Sequence, residues 1–140
     1  MKNLRSILGV LTVLLMATAA QAQQTHLKAN VPFDFVVGHR AYPAGEYSLK
    51  SIVSDGSVIQ ITNAQEATSA DVLSHSCSNK TYADKTKLVF RRVGDNYFLY
   101  QIWTEGRLSG REFPKSNIEL RLAHNQEKSE LVIVAANISQ

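Results

Sequence analysis

Residues 27–37 read LKANVPFDFVV, a stretch in which apolar side chains recur at every second position. These positions are Leu27, Ala29, Val31, Phe33, Phe35 and Val37. Successive side chains of a β-strand point to opposite faces, so this spacing predicts a strand with one buried face. Pro32 has no backbone N–H to donate to a neighbouring strand. We therefore expect this strand to lie at an edge or to break near its middle.

Similar strand signals continue along the chain and are separated by turn residues. The further strand candidates are residues 46–53, 58–62, 69–76, 86–93 and 97–104. Asp55-Gly56 and Gly94-Asp95-Asn96 are typical of hairpin turns, because both contain a glycine that can adopt the left-handed conformation. Residues 38–45, 77–85 and 106–110 are expected to be connections.

The pattern changes near residue 116. Ser116-Asn117-Ile118-Glu119 fits a capping box and predicts a short helix at residues 116–124. Its spacing favours Ile118 and Leu122 facing the core, with Glu119 in solvent. A last strand is expected at residues 130–138, where the continuous apolar run 131–134 indicates burial on both faces.

These segments predict an all-β fold, an antiparallel small barrel or sandwich of about seven strands with one short helix before the last strand. Residues 23–140 contain no internal repeat or linker and are expected to form a single domain.

The first 22 residues have the three parts of a secretory signal peptide. Lys2 and Arg5 precede the apolar run 7–20, and Ala20-Gln21-Ala22 provides small residues for cleavage after Ala22. We expect a periplasmic or extracellular protein with no membrane span in the mature chain, since no later apolar run is long enough. Cleavage leaves thirteen basic and twelve acidic residues, a balance that argues against nucleic-acid binding.

A series of motifs resembles a family of small secreted bacterial proteins of unassigned function. The motifs are VPFDFVVG (31–38), PAGEY (43–47), KLVFRR (87–92), GDNYFL (94–99), QIW (101–103), GRE (110–112) and PKS (114–116). The resemblance covers nearly all of the mature chain. It implies export and a single domain, and it implies no activity, cofactor or catalytic residue.

Two pairs of residues are candidates for a reactive site, and each pair also has a simpler, non-catalytic interpretation. In a strand, His75 and Cys77 would lie on the same side, an arrangement that suits an activated thiol or a metal site. The simpler alternative is a lone cysteine with a histidine nearby by chance. Glu105 and Glu112 suit a glycosidase pair or two solvated loop charges. The single cysteine excludes a disulfide scaffold, a zinc finger and an iron–sulfur cluster. We predict no catalytic residue, metal site or cofactor.

Two features suggest ligand binding. Residues 97–103 carry large side chains on both faces, including Tyr97 and Trp103, and are either a central strand packed on both sides or one wall of a cavity. Arg107, Arg111 and Lys115 follow one another at intervals of four residues. This spacing suits the binding of an anionic group, and the alternative is that the three charges are simply solvated. We expect Trp103 to be buried.

The sequence favours a secreted or periplasmic, non-enzymatic binding or interaction module, whose partner is a small apolar ligand or an envelope protein. The alternative is a small secreted hydrolase that acts on an envelope or extracellular polymer. Convergence of acids and histidines in one cleft would favour the hydrolase.

Overall fold

The alternating stretch at residues 27–37 forms two strands, and Pro32 lies in the break between them. The computed structural model describes residues 26–125 and 128–139, so the signal-peptide prediction lies outside the described residues. Their strands are β1 (His26–Val31), β2 (Phe35–Val37), β3 (Arg40–Tyr42), β4 (Gly45–Ser51), β5 (Val58–Asn63), β6 (Ser69–Leu73), β7 (His75–Ser78), β8 (Lys87–Val93), β9 (Asn96–Trp103), β10 (Ser109–Glu112), β11 (Ser129–Ala135) and β12 (Asn137–Ile138). The helix α1 (Asn117–His124) precedes β11.

The strands form two sheets. Sheet A has the order β12-β1-β4-β5-β6, and sheet B has the order β11-β8-β9-β10-β7. The β2–β3 hairpin extends sheet B beside β9, where Val36 pairs with Phe98 in the parallel direction. All other strand pairs of the described residues are antiparallel. Of the two architectures expected, the sandwich is therefore the one observed.

The chain crosses between the sheets on both sides of the sandwich. It passes from β6 in sheet A to β7 in sheet B at Ser74, and from β11 in sheet B to β12 in sheet A at Ala136. Both residues are buried, and their backbone amides donate to the carbonyls of Ser57 and Thr86. Strands that switch sheets in this way form the corners of a sandwich.

Aromatic side chains fill the core between the sheets. Phe90 of sheet B is fully buried, and its ring contacts Phe35 edge-on with centroids 5.4 Å apart. Tyr47 of sheet A is also buried, and it donates its hydroxyl hydrogen to the carbonyl of Pro43 at 2.6 Å. An edge-to-face pair such as Phe35 and Phe90 adds roughly 0.5–1.5 kcal/mol to the stability that burial of the two rings provides.

Most of the turn and cap predictions are confirmed. The β8–β9 hairpin turns at Gly94-Asp95, with Gly94 at a positive φ of 60°. The side chain of Ser116 accepts a hydrogen bond from the backbone amide of Glu119 at 3.1 Å and caps α1. The strands outnumber the expected seven because the candidates at 27–37, 69–76 and 130–138 are each broken in two, and two more strands occur in predicted connections.

Those two strands are β3 and β10. In addition, the first two residues of the predicted loop 77–85 belong to β7. All three segments are three or four residues long, which is too short to show the apolar alternation that marks a strand. Their pairing comes from the fold, as β10 lies between β9 and β7 in sheet B.

The prediction that residues 131–134 are buried on both faces is wrong. β11 pairs only with β8 and forms an edge of sheet B. Val134 faces the core, whereas the side chains of Leu131 and Ile133 are 61% and 54% exposed. The continuous apolar run therefore belongs to an edge strand, and the face that carries Leu131 and Ile133 is exposed to solvent.

The predicted orientation of α1 is wrong at two positions, Ile118 and Glu119, while Leu122 is half-buried. Glu119 is only 2% exposed, and Ile118 is 41% exposed. The Glu119 carboxylate faces β8, where Nη2 of Arg91 donates to Oε2 at 3.2 Å and Nε of Arg91 lies against Oε1. This ion pair holds one charged residue of the helix, Glu119, against the core. Within the described residues, no helix has the length and apolar character needed to cross a membrane.

Candidate functional site

A cleft opens between the two sheets at one end of the sandwich. Its volume is about 270 Å³, near the lower limit for small-molecule sites. Sheet A contributes residues of β1, β4 and β5, and sheet B contributes residues of β7, β9 and β10. The turn 53–56 and the loop 104–107 complete the rim.

The cleft has an apolar floor and a polar rim. The floor consists of four side chains that alternation directs inward, each at most 4% exposed and part of the hydrophobic core, namely Leu27, Leu49, Ile59 and Ile102. The rim carries hydroxyl groups and charges from Ser51, Ser54, Asp55, Ser76, Thr104, Arg107, Ser109 and Arg111. An apolar floor with a few polar groups around it is the usual composition of a small-ligand site.

The Arg111 side chain is held in one position by hydrogen-bond acceptors of Ser74, at the corner between β6 and β7, and of Asp55, in the turn before β5. Its Nε donates to Oγ of Ser74 at 3.1 Å, and Nη2 donates to the Ser74 carbonyl at 2.9 Å. Nη1 donates to the carbonyl of Asp55 at 3.3 Å. These bonds occupy three of the five N–H donors of a guanidinium and connect β10 to the corner where the chain leaves sheet A.

Arg107 lines the same cleft from the loop between β9 and β10. Its backbone is fixed, because its amide donates to the carbonyl of Thr104 and its carbonyl accepts from the amide of Ala83. Its side chain is exposed and makes no hydrogen bond or ion pair with residues 26–125 and 128–139. The structure therefore brings two of the candidate residues, Arg107 and Arg111, to one cleft.

Asp55 supplies the carboxylate at the rim. Its Oδ1 accepts a hydrogen bond from the backbone amide of Ser57 at 2.9 Å. Hydrogen bonds from Ser57 and, to a smaller extent, the charge of Arg111 hold the pKa of Asp55 below its ordinary value. Asp55 is thus a fixed anion that offsets part of the positive charge of the rim.

Neither Tyr97 nor Trp103 is among the described residues that line the cleft. The ring of Tyr97 stacks on Phe33 with centroids 3.8 Å apart, and Arg92 lies over it at 5.7 Å. Trp103 is 8% exposed, as expected, and its indole nitrogen donates to Oε1 of Gln101 at 3.0 Å. Both residues are in β9, the central strand, and their rings pack within the protein.

The two reactive pairs are not assembled into a site either. Cys77 is partly buried, and burial and then the nearby Glu112 carboxylate raise the pKa of its thiol, which disfavours the nucleophilic thiolate. Glu112 accepts a hydrogen bond from Gln101 at 2.8 Å. Glu105 lies exposed in the loop after β9, where its backbone amide donates to Thr86.

A second depression lies between the β2–β3 hairpin and β6 and contains His39 and Asp71 among its lining residues. Asp71 accepts a hydrogen bond from Nε2 of Gln60 at 3.2 Å. Within the described part of the chain, no hydrogen bond or ion pair joins His39 to Asp71, and no serine or cysteine lines this depression. It therefore lacks a nucleophile and an oriented base.

The floor of the cleft was not identified from the sequence. Leu49, Ile59 and Ile102 have the same alternation as other core residues, and no local signal separates a cleft floor from a sealed core. Across residues 26–125 and 128–139, no group of three or more histidine, cysteine, aspartate or glutamate side chains is placed to hold a metal ion. Comparison with known protein families, with curated proteins and with solved structures finds no match to this chain.

Proposed function

We propose that this protein is an exported, non-enzymatic binding module that takes a small, largely apolar ligand in the cleft between its sheets. The observation that supports this proposal is the combination of four apolar floor residues with fixed polar groups at the rim. Burying apolar ligand surface on this floor provides roughly 25 cal/mol per Å². The polar rim would orient the bound molecule.

The hydrolase alternative has weaker support. Among the described residues that line the cleft, Asp55 is the one carboxylate and there is no histidine. Both common hydrolytic mechanisms need a second catalytic group, either a paired carboxylic acid or a base beside a nucleophile. The serines of the rim have no such base next to them within the cleft lining.

Export is part of the proposal and has a separate test. Mass spectrometry of the protein from its native host should find an amino terminus at Gln23, because the residues before it have the form of a cleaved signal peptide. An intact Met1 on the folded protein would contradict export by this route.

Binding is tested with uncharged 1-octanol and the ¹⁵N-labelled protein. We expect saturable chemical-shift changes at Leu49, Ile59 and Ile102. Ser76→Phe places a ring at the cleft lining from an exposed position on β7, and it should weaken this binding at least tenfold. Ser69→Phe is the matched control, since Ser69 is an exposed serine of β6 outside the lining.

Two results would overturn the proposal. One is the absence of saturable shifts at the floor, and the other is an equal loss of binding in the two serine variants. Release of soluble products from an added cell-wall polymer would instead favour the hydrolase.

A further inference from the structure

We infer that the natural ligand is a small amphipathic carboxylate whose head group binds Arg107 while its apolar body lies on the cleft floor. This inference rests on the proposed function and adds the charge of the ligand. Its basis is that two arginines of β8 have carboxylate partners, whereas the two arginines at the cleft have none among the described residues.

Two arginines of β8 have carboxylate partners. Arg91 pairs with Glu119, and Arg92 pairs with Glu130 at 3.0 Å. Arg107 and Arg111, at the cleft, have no carboxylate within ion-pair distance among the described residues. The two guanidinium groups of the cleft thus face one rim carboxylate, Asp55, and a net positive charge remains.

The two arginines have different roles. Arg111 donates three hydrogen bonds to neutral oxygens of Ser74 and Asp55, which fixes its position and leaves its charge uncompensated by an ion pair. Arg107 has its donors available for an incoming group. A guanidinium presents parallel N–H groups that match the two oxygens of a carboxylate, so Arg107 is the head-group ligand and Arg111 is a positioning residue.

The volume of the cleft limits the size of the ligand. The cleft volume of about 270 Å³ lies just below the range of roughly 300–1,000 Å³ that is usual for small-molecule sites, so the ligand has to be small. A chain of about eight carbons with one carboxylate meets this limit. The floor is aliphatic, which suits an alkyl body.

The test compares three probes that share one alkyl chain, namely octanoate, 1-octanol and octylammonium, each titrated into the labelled protein. We expect octanoate to bind about tenfold more tightly than 1-octanol, because a charge-assisted hydrogen bond adds about that factor. Octylammonium should bind more weakly than both. Raising the salt concentration should reduce the advantage of octanoate, since the head group lies at an exposed rim.

A matched pair of variants locates the head group. Arg107→Gln should reduce octanoate affinity about tenfold and should reduce 1-octanol affinity by a clearly smaller factor, because 1-octanol carries no charge. Lys115→Gln removes the same charge from an exposed residue outside the cleft lining and should change neither affinity. The two variants must retain the wild-type amide spectrum elsewhere.

The outcomes separate the two proposals. If octanoate and 1-octanol bind equally, or if Lys115→Gln acts like Arg107→Gln, the head-group inference is overturned and the binding function stands. If neither probe produces saturable shifts at the floor, the binding function itself fails.

Discussion

Replacing Glu119 with alanine is expected to lower the free energy of unfolding by about 3 kcal/mol, because it leaves a buried guanidinium without its carboxylate. The side chains of Arg91 and Glu119 are only 13% and 3% exposed. Arg91 also lies 4.0 Å from the centroid of the Tyr100 ring, which restricts its escape to water. Chemical denaturation of the purified variant measures the loss.

Two further variants distinguish an unpaired charge from lost packing. The double substitution Arg91→Met with Glu119→Leu should recover most of the stability, since apolar residues often replace a buried ion pair without loss. Glu130→Ala breaks the Arg92–Glu130 pair, whose side chains are 41% and 63% exposed, and should cost less than about 1 kcal/mol. Equal losses from Glu119→Ala and Glu130→Ala would contradict this account of α1.

Replacing Gly110 with alanine is expected to cost about 2–3 kcal/mol, because β10 passes directly under the Trp103 ring. A methyl group at this position would lie 2.6 Å from the carbonyl oxygen of Ile102 and 2.9 Å from two ring carbons of Trp103. The carbonyl belongs to the β9 backbone and cannot move without disturbing the strand pair. The loss of stability should be accompanied by a red shift of the Trp103 fluorescence as the ring is displaced.

Gly106 is the matched control for this substitution. A methyl group there meets no atom within 4 Å, although its φ of +74° makes alanine unfavourable. Gly106→Ala should therefore cost about 1 kcal/mol and leave the fluorescence of Trp103 unchanged. A loss for Gly110→Ala no larger than this would show that the contacts with the Ile102 carbonyl and the Trp103 ring are relieved at little cost, and it would contradict the prediction.

Local patterns were sufficient to predict much of the sandwich. The alternation at residues 27–37 predicts one strand, and Pro32 predicts either an edge position or a break near its middle, of which the break is observed. Gly94 predicts the β8–β9 turn, and Ser116 predicts the start of α1. Each of these features is decided by residues within a few positions of one another, which is the range over which a sequence pattern carries information.

Features that depend on distant residues were missed. Glu119 is buried because Arg91, 28 positions earlier, provides its partner, and no helical spacing contains that information. Leu131 and Ile133 are exposed because β11 has only one neighbour in its sheet. The cleft likewise combines six strands and two connections. Arg107 and Arg111 were identified as candidates from their charge alone, while the floor beneath them became visible only once both sheets were assembled.

The pairing of β1 with β12 has a consequence for the folding rate. Leu27 pairs with Ile138 and Lys28 pairs with Asn137, so one ladder of sheet A joins residues more than one hundred positions apart. During synthesis, β1 can pair with β4 early but has to wait for the last strand before its second edge is covered. Proteins dominated by such distant contacts fold in milliseconds to seconds rather than microseconds. We therefore expect folding on this slower time scale, and we expect the edge of β1 to stay open to pairing with other chains until β12 covers it.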